Sequence, residues 1–216
     1  MKKIDTFEPS GEKIRLQYFL TRPDGSTPSE KLPMIVMLHG AGERGTDIEL
    51  VKVHGLAKMF DKDQEYNGLR VITLSPQCPE GDIWSNFPGA LMELILHVAA
   101  EENVDMERIS ITGLSMGGFG TWTMLARYPN FFSAAAPICG GGISWYINTK
   151  TPIRAFHGDA DTTVPIQYTY MMVDALRSRG GNVDMVIYHG CSHDCWTRTY
   201  EQTDLVSWLA TSKKNG

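Results

Sequence analysis

The chain has 216 residues, 42% of them apolar and 21% charged, with a net charge of −5. That length is enough for one domain with a sizeable core and short of two ordinary ones, so residues 1–216 are expected to form a single unit. A mild acidic balance without long charge runs argues against nucleic acid or an anionic membrane as a partner, no window reaches the length that crosses a bilayer, and the start "MKKIDTFEPSGEKIRLQ" has no apolar stretch like that of a secretory signal; the expectation is a cytoplasmic protein.

In chain order, "KIRLQYFL" (13–20) alternates as a half-buried strand does and pairs, antiparallel, with a partner strand near the start of the chain. "MIVMLHG" (34–40) is a short apolar run of the kind covered on both faces in a parallel sheet. "DIELVKVHGLAKMF" (47–60) has helical spacing with Asp47 as its cap and Gly55 as a weak point. "RVITLSP" (70–76) is a second buried run. "PGALMELILHVAAEEN" (88–103) is the clearest helix, with Pro88 in its first turn. "RISITG" (108–113) precedes a helix in "GGFGTWTMLARYP" (117–129). "SAAAPICG" (133–140) and "IRAFHG" (153–158) are further strands. "PIQYTYMMVDALRSRGG" (165–181) opens on Pro and closes on Gly, as helices do. "DMVIYHG" (184–190) is the last strand, and "RTYEQTDLVSWLA" (198–210) the last helix. Alternating strands and helices give an α/β class with a mainly parallel central sheet flanked by helices. Chemistry in such sheets gathers beyond the carboxyl ends of the strands.

Gly113, Ser115 and Gly117 form G-x-S-x-G between a strand and a helix. A turn this tight holds the serine in strained geometry with its hydroxyl exposed, and small neighbours keep it clear of clashes. The plainer alternative is a serine that merely caps the helix. A serine nucleophile needs a base, and six histidines are available. His54 and His97 lie in helical patterns; His39 and His157 end strands beside glycines. His193 sits in the loop "HGCSHDCW", free to reach over the sheet edge, and is the candidate base. His189 is the runner-up and, still within the strand pattern, is expected to pack. The base needs a carboxylate to hold its tautomer. In "HGDADTTVP" (157–165), Asp161 reaches toward the next loop, whereas Asp159 shapes the turn. Asp194, adjacent to His193, has little room to orient the ring.

Acyl transfer develops a negative oxygen that fixed donors must meet. The backbone N–H of Met116, after the serine, is one expected donor. The N–H of Ala41, in the glycine-rich loop "LHGAGERG" (38–45), is the other. Trp84 in "GDIWSNFPG" is a candidate for the pocket wall, with half-buried packing as the alternative. Trp145 in "GGGISWYINTK" is a second. Trp196, beside the base, anchors its loop. Cys78, Cys139, Cys191 and Cys195 form no CxxC pair and read as reduced thiols. The spacing Cys191-x-His193-x-Cys195 lacks a fourth partner and matches no common zinc pattern, so no metal is expected.

Together "LHGAGERG", "LSPQCP", "ITGLSMGGFGTW", "PICGGG", "FHGDADTTVP" and "SHDCW" resemble the phospholipase/carboxylesterase and dienelactone-hydrolase-like branch of the α/β-hydrolases, in particular the bacterial "predicted peptidase" or esterase type. The resemblance spans residues 33 to 212. It implies an α/β-hydrolase fold with a minimal lid or none. It also implies Ser115, Asp161 and His193 as a triad, which is the nucleophile–acid–base chain order of that fold, with Ala41 and Met116 as oxyanion donors. Cys191 and Cys195 depart from the pattern, standing where small non-thiol residues are commoner. The activity implied is a serine carboxylesterase on short-chain or aryl esters, with a small-molecule ester as partner and no cofactor. A peptidase of the same fold, an esterase on feruloyl or acetyl esters of plant oligosaccharides, and a non-catalytic binding protein are the alternatives.

Overall fold

The computed structural model describes residues 1–11, 13–27, 29–63 and 66–214. Among these, eight strands build one sheet: β1 (Lys2–Phe7), β2 (Leu16–Thr21), β3 (Leu32–Leu38), β4 (Ile72–Pro76), β5 (Val104–Leu114), β6 (Ala135–Ile138), β7 (Ile153–Gly158) and β8 (Val183–Tyr188), in the spatial order β1-β2-β4-β3-β5-β6-β7-β8. β1 pairs antiparallel with β2, and β2 antiparallel with β4. Every later pairing is parallel. The early antiparallel pair and the parallel remainder are as the apolar patterning implied.

Burial follows the two-residue period of a strand. In β3, Met34, Val36 and Leu38 face one core layer while Ile35 and Met37 face the other. On the first face lie α2 (Pro88–Glu101), α3 (Met116–Arg127) and α4 (Gln167–Ser178), burying Leu91, Ile95, Trp122, Leu125, Val173 and Leu176. On the second lie α1 (Gly55–Lys62), α5 (Trp196–Gln202) and α6 (Leu205–Thr211), burying Leu56, Phe60, Tyr200, Leu205 and Leu209. Because both faces are covered, β3 and β4 are buried at every position, and the sequence reads there as apolar runs rather than alternation. This is an α/β-hydrolase architecture. Between β6 and β7, residues 139–152 form turns and extended chain with no helix, so there is no helical lid in that connection. No helix among the described residues is long and apolar enough to cross a membrane.

Two helices expected as continuous are broken. Asp47 does cap, accepting the Glu49 N–H at 3.1 Å, but the helix it opens is a short 3-10 turn, Ile48–Lys52. The chain then extends at His54, and α1 starts afresh at Gly55 with φ 57°. A Cβ there would lie 2.1 Å from the Met37 methyl carbon, so this glycine permits a close crossing over β3 instead of weakening one long helix. The last helix is split at Thr203, which is extended. Its hydroxyl donates to Thr199 O at 2.6 Å and accepts the Leu205 N–H at 3.2 Å, a local alternative to helical bonding.

The glycines around Ser115 bring α3 against the sheet. A Cβ on Gly117 would lie 1.9 Å from Leu38 O, and one on Gly113 would lie 2.3 Å from Gly117 O. Both obstacles are backbone atoms, which no rotamer change can relieve. Gly117→Ala is therefore expected to destabilise the protein by about 3 kcal/mol or to prevent folding, measured by urea unfolding; a change below about 1 kcal/mol would contradict this packing.

Candidate active site

The turn from β5 into α3 places Ser115 at φ 53°, ψ −118°. A non-glycine residue there carries a strain of roughly 1–3 kcal/mol. The surrounding packing sustains it: the Ser115 N–H donates to Ile138 O at 3.0 Å, and its carbonyl accepts the Phe119 N–H at 3.1 Å. The hydroxyl is 2.9 Å from His193 Nε2, and His193 Nδ1 is 2.6 Å from Asp161 Oδ2. His193 comes from the loop after β8 and Asp161 from the loop after β7, so three separate strand ends supply the three groups. The tautomer follows from this pairing: Nδ1 bears the proton given to the carboxylate, and Nε2 accepts from the hydroxyl.

Asp161 is buried, and its other oxygen accepts the N–H groups of Thr163 and Val164, each at 2.9 Å. Burial pushes its pKa up; the hydrogen bonds from His193, Val164 and Thr163 outweigh that, and the net direction is downward, so the group stays ionised. The imidazole of His193 meets the Trp196 ring edge-on at 5.2 Å. Asp194 turns the other way, accepting from the Thr197 N–H and hydroxyl at the start of α5.

The runner-up residues form a pair of their own. His189 Nδ1 lies 2.8 Å from Asp159 Oδ2, and Asp159 Oδ1 accepts the Gly190 N–H at 2.7 Å. The expectation that His189 packs is corrected: its side chain is 86% exposed, because the strand has ended at Tyr188.

The Ala41 loop adjoins the serine, since a Cβ on Gly40 would be 3.7 Å from the Ser115 Cβ. Ala41 opens a 3-10 turn, Ala41–Glu43, and Met116 is the first residue of α3, where an N–H precedes the helix's own bonding ladder. The loop is held by the chain that follows β4. His39 Nε2 accepts the Cys78 N–H at 2.9 Å, its Nδ1 donates to Gly40 O at 2.6 Å, and its carbonyl accepts Trp84 Nε1–H at 3.0 Å. The side-chain amide of Gln77 donates to Glu43 O at 2.9 Å and to Asp47 O at 2.7 Å. In the sequence Gln77 has no role of its own and Cys78 only that of a reduced thiol, and their place directly after a strand end was the one signal of a part in the site.

Both tryptophans named for the pocket wall lie elsewhere. Trp84 is 1% exposed, packed against His39 and Phe87, and spends its N–H on the Ala41 loop. Trp145 is at the far end of α4, its carbonyl 3.5 Å from Arg179 Nη2. With α4 12 residues long, about 18 Å at 1.5 Å per residue, it is remote from Ser115, whose neighbour Phe119 packs at the other end of that helix on Tyr168. The cavity beside Ser115, about 310 Å³, is lined instead by Ile83, Ser85, Met116 and Phe119. Phe119 was legible in principle, four residues after Ser115 and so on the same helical face.

Cys191 is partly exposed and Cys195 buried, and all four cysteines are free. The buried thiol of Cys139 has atoms of Asp161 and His193 within 4.8 Å, yet those two groups are hydrogen-bonded to each other. Burial, then the neighbouring Cys195, hold the Cys139 thiol well above its ordinary pKa, so it stands protonated beside the Asp161–His193 pair.

Residues 83–208 match the sequence profile of the dienelactone hydrolase family. Poly(3-hydroxyalkanoate) depolymerase C of Paucimonas lemoignei is 28% identical over 193 residues, covering 69% of this chain and 45% of that protein. A protein named "Probable feruloyl esterase C" from Aspergillus terreus is 26% identical over 171 residues, covering 76% and 62%. Among solved structures, a thermostable esterase shares 33% identity with a TM-score of 0.84, over 98% of this chain and 63% of that one. A thermophilic esterase from Thermogutta terrifontis, 15% identical with a TM-score of 0.65 over 95% and 87%, shares the fold. The chain spans between 40% and 62% of the length of the curated relatives it matches.

Burial lowers the pKa of His39 to about 4 from 6.5. The unfolded chain takes up a proton below about pH 6.5 that the folded chain refuses until about pH 4, so stability falls as pH drops through that window. The loss due to His39 is at most about 3 kcal/mol. Urea unfolding at pH 7 and pH 4.5 should show a smaller loss for His39→Gln than for the wild type; equal losses would contradict a neutral, buried His39.

Proposed function

The chain belongs to the dienelactone hydrolase family, and on that premise we propose that it is a serine carboxylesterase acting through an acyl-enzyme. The observation that carries the reading is the unbroken relay from a strained serine through His193 to a buried Asp161, at 2.9 and 2.6 Å. Ser115 Oγ attacks the ester carbonyl as its proton passes to His193 Nε2, and Asp161 stabilises the imidazolium that results. The N–H groups of Ala41 and Met116 receive the oxyanion. Collapse of the tetrahedral species breaks the C–O bond to the alcohol, which leaves with the proton from Nε2. Water then attacks the acyl-enzyme with His193 again as base, releasing acid and regenerating the serine. These steps need no cofactor.

The cavity beside the serine supports short-chain or aryl esters. It is small, about 310 Å³, and its described walls, Ile83, Ser85, Met116 and Phe119, carry no charge. A peptidase selecting a charged side chain would need a counter-charge there, so the ester reading ranks first. The edge-on pair of Phe119 and Tyr168 at 5.8 Å favours an aromatic acyl group within that class, in keeping with the relative named a feruloyl esterase.

The test is a panel of p-nitrophenyl esters with fluorophosphonate labelling. Acetate and butyrate should be turned over, the probe should sit on Ser115, and Ser115→Ala should lower kcat by about 10⁴-fold or more. Equal labelling of both proteins would refute the assignment. Phe119→Ala, which enlarges the cavity, should raise the octanoate-to-butyrate ratio of kcat/KM by about tenfold; an unchanged ratio would place the acyl chain elsewhere.

A further inference from the structure

We propose that His157 is a positioning residue that shares the Asp161 carboxylate with His193 and sets how strongly that carboxylate acts on it; the proposal rests on the triad reading above. His157 is the penultimate residue of β7, the strand whose following loop carries Asp161. Its side chain and that of Asp161 are both 0% exposed, with His157 Nε2 at 3.3 Å from Asp161 Oδ2. The same nitrogen lies 2.8 Å from Val164 O. Both neighbours are acceptors only, so Nε2 bears a proton and points it between them. Nδ1 faces the Thr169 hydroxyl at 2.7 Å, which also reaches Gly140 O at 2.7 Å. The ring is thus fixed at both ends by groups from α4 and the loop after β7.

Asp161 then accepts three hydrogen bonds, from the N–H groups of Thr163 and Val164 at Oδ1 and from His193 at Oδ2, and His157 Nε2 stands 3.3 Å from Oδ2 on the other side. These neighbours on both oxygens leave the carboxylate no second orientation of equal energy. The second imidazole also draws on the same lone-pair charge that stabilises the His193 imidazolium, so the pull on His193 is moderated. At 3.3 Å the contact is longer than the 2.8 Å hydrogen bond of the same nitrogen to Val164 O, and its effect is correspondingly modest. Other titratable groups around this point, among the described residues, include Cys139 after β6, Cys191, Asp194 and Cys195 on the loop of His193, Arg198 beside Cys191, and His54, which meets the Trp196 ring. Asp194 is engaged with Thr197.

Two variants separate the two ends of the ring. In His157→Asn the amide occupies the Nδ1 position and keeps the Thr169 side, while the donor to Asp161 is lost. In His157→Gln the amide nitrogen replaces Nε2 and keeps that donor. With the donor gone, Asp161 acts more strongly on His193. The acid limb of kcat/KM for p-nitrophenyl acetate should therefore move to higher pH by about half a unit in the Asn variant, with kcat lowered several-fold and KM within about twofold. The Gln variant should stay within about 0.2 unit of the wild type. Imidazole ¹⁵N NMR of the substrate-free protein reads the same shift in the His193 titration midpoint without any turnover. A wild type that hydrolyses no ester would thus defeat the functional reading and leave this one measurable. A midpoint that stays put or falls in the Asn variant, or moves equally in both, overturns the proposal. Should the Asn variant not fold, the His157 Nε2–H resonance of the wild type decides: it moves as His193 titrates if the two share an oxygen, and its indifference overturns the proposal.

Discussion

The site depends on three stretches of backbone meeting with no side chain between them. At Gly117 the start of α3 comes so close to Leu38 O that a Cβ would stand 1.9 Å from it, and at Gly113, near the end of β5, a Cβ would stand 2.3 Å from Gly117 O. This contact pins the helix start against two neighbouring strands. It is what forces Ser115 into φ 53°: the chain must reverse from strand to helix within one residue, and the tight turn projects the hydroxyl outward. It also sets the serine beside Gly40, so the Ala41 loop and the helix start approach the same point from two sides. The fixed donors of an oxyanion site act through such preorganisation, since they need not reorient as charge develops.

A second scaffold holds the Ala41 loop in place. The residues after β4 run alongside it and spend their polar groups on it: Cys78 N–H on the His39 ring, Gln77 on Glu43 O and Asp47 O, Trp84 on His39 O. Each bond satisfies a group that would otherwise be buried unpaired, at a cost of about 1–3 kcal/mol, so the two loops are ordered together. His39 can take part only as a neutral ring, which its burial ensures. The same residues that seal this layer from water therefore fix the loop's shape.

The fold was legible because both signals behind it are local. Short apolar runs ending at Gly or Pro mark doubly covered strands, and the serine motif marks a strand-to-helix turn; β3 to β8 and α2 to α4 follow from those. The two broken helices were not legible, because the cause of each is a contact distant in sequence or a hydroxyl with two uses. Gly55 reads as a flaw in a helix until Met37 is seen beneath it. Ser115, Asp161 and His193, which the fold brings into contact, could be named from their places after strands. The pocket wall could not be. A tryptophan's size says that it packs somewhere, and only the three-dimensional arrangement tells that Trp84 is buried behind the loop, that Trp145 lies at the distant end of α4, and that Ile83 and Phe119 border the serine. His157 escaped notice for a similar reason: a histidine ending a strand beside glycine looks like packing, and its partner lies on the loop that follows.

The loops after β7 and β8 present two aspartates and two histidines, and these combine into two pairs of nearly equal length: Asp159 with His189 at 2.8 Å and Asp161 with His193 at 2.6 Å. Distance alone does not separate them; environment does. His189 is 86% exposed, whereas Asp161 is 0% and His193 20% exposed at the side chain. Water around the first pair screens its attraction and lets either partner swing away. Around the second, low polarisability strengthens the same attraction, and backbone N–H groups hold the carboxylate still. Two residues of extra chain after Asp159 carry Asp161 under the next loop instead of out to its rim, and Cys191 O, which accepts the Ala160 N–H at 3.0 Å, ties the loops together there. Gly158 makes that tie possible, since a Cβ would stand 2.3 Å from the same Cys191 oxygen. The close passage that builds the serine turn between β3 and β5 thus recurs between β7 and β8, and in both places absent side chains let the polar groups of separate loops meet.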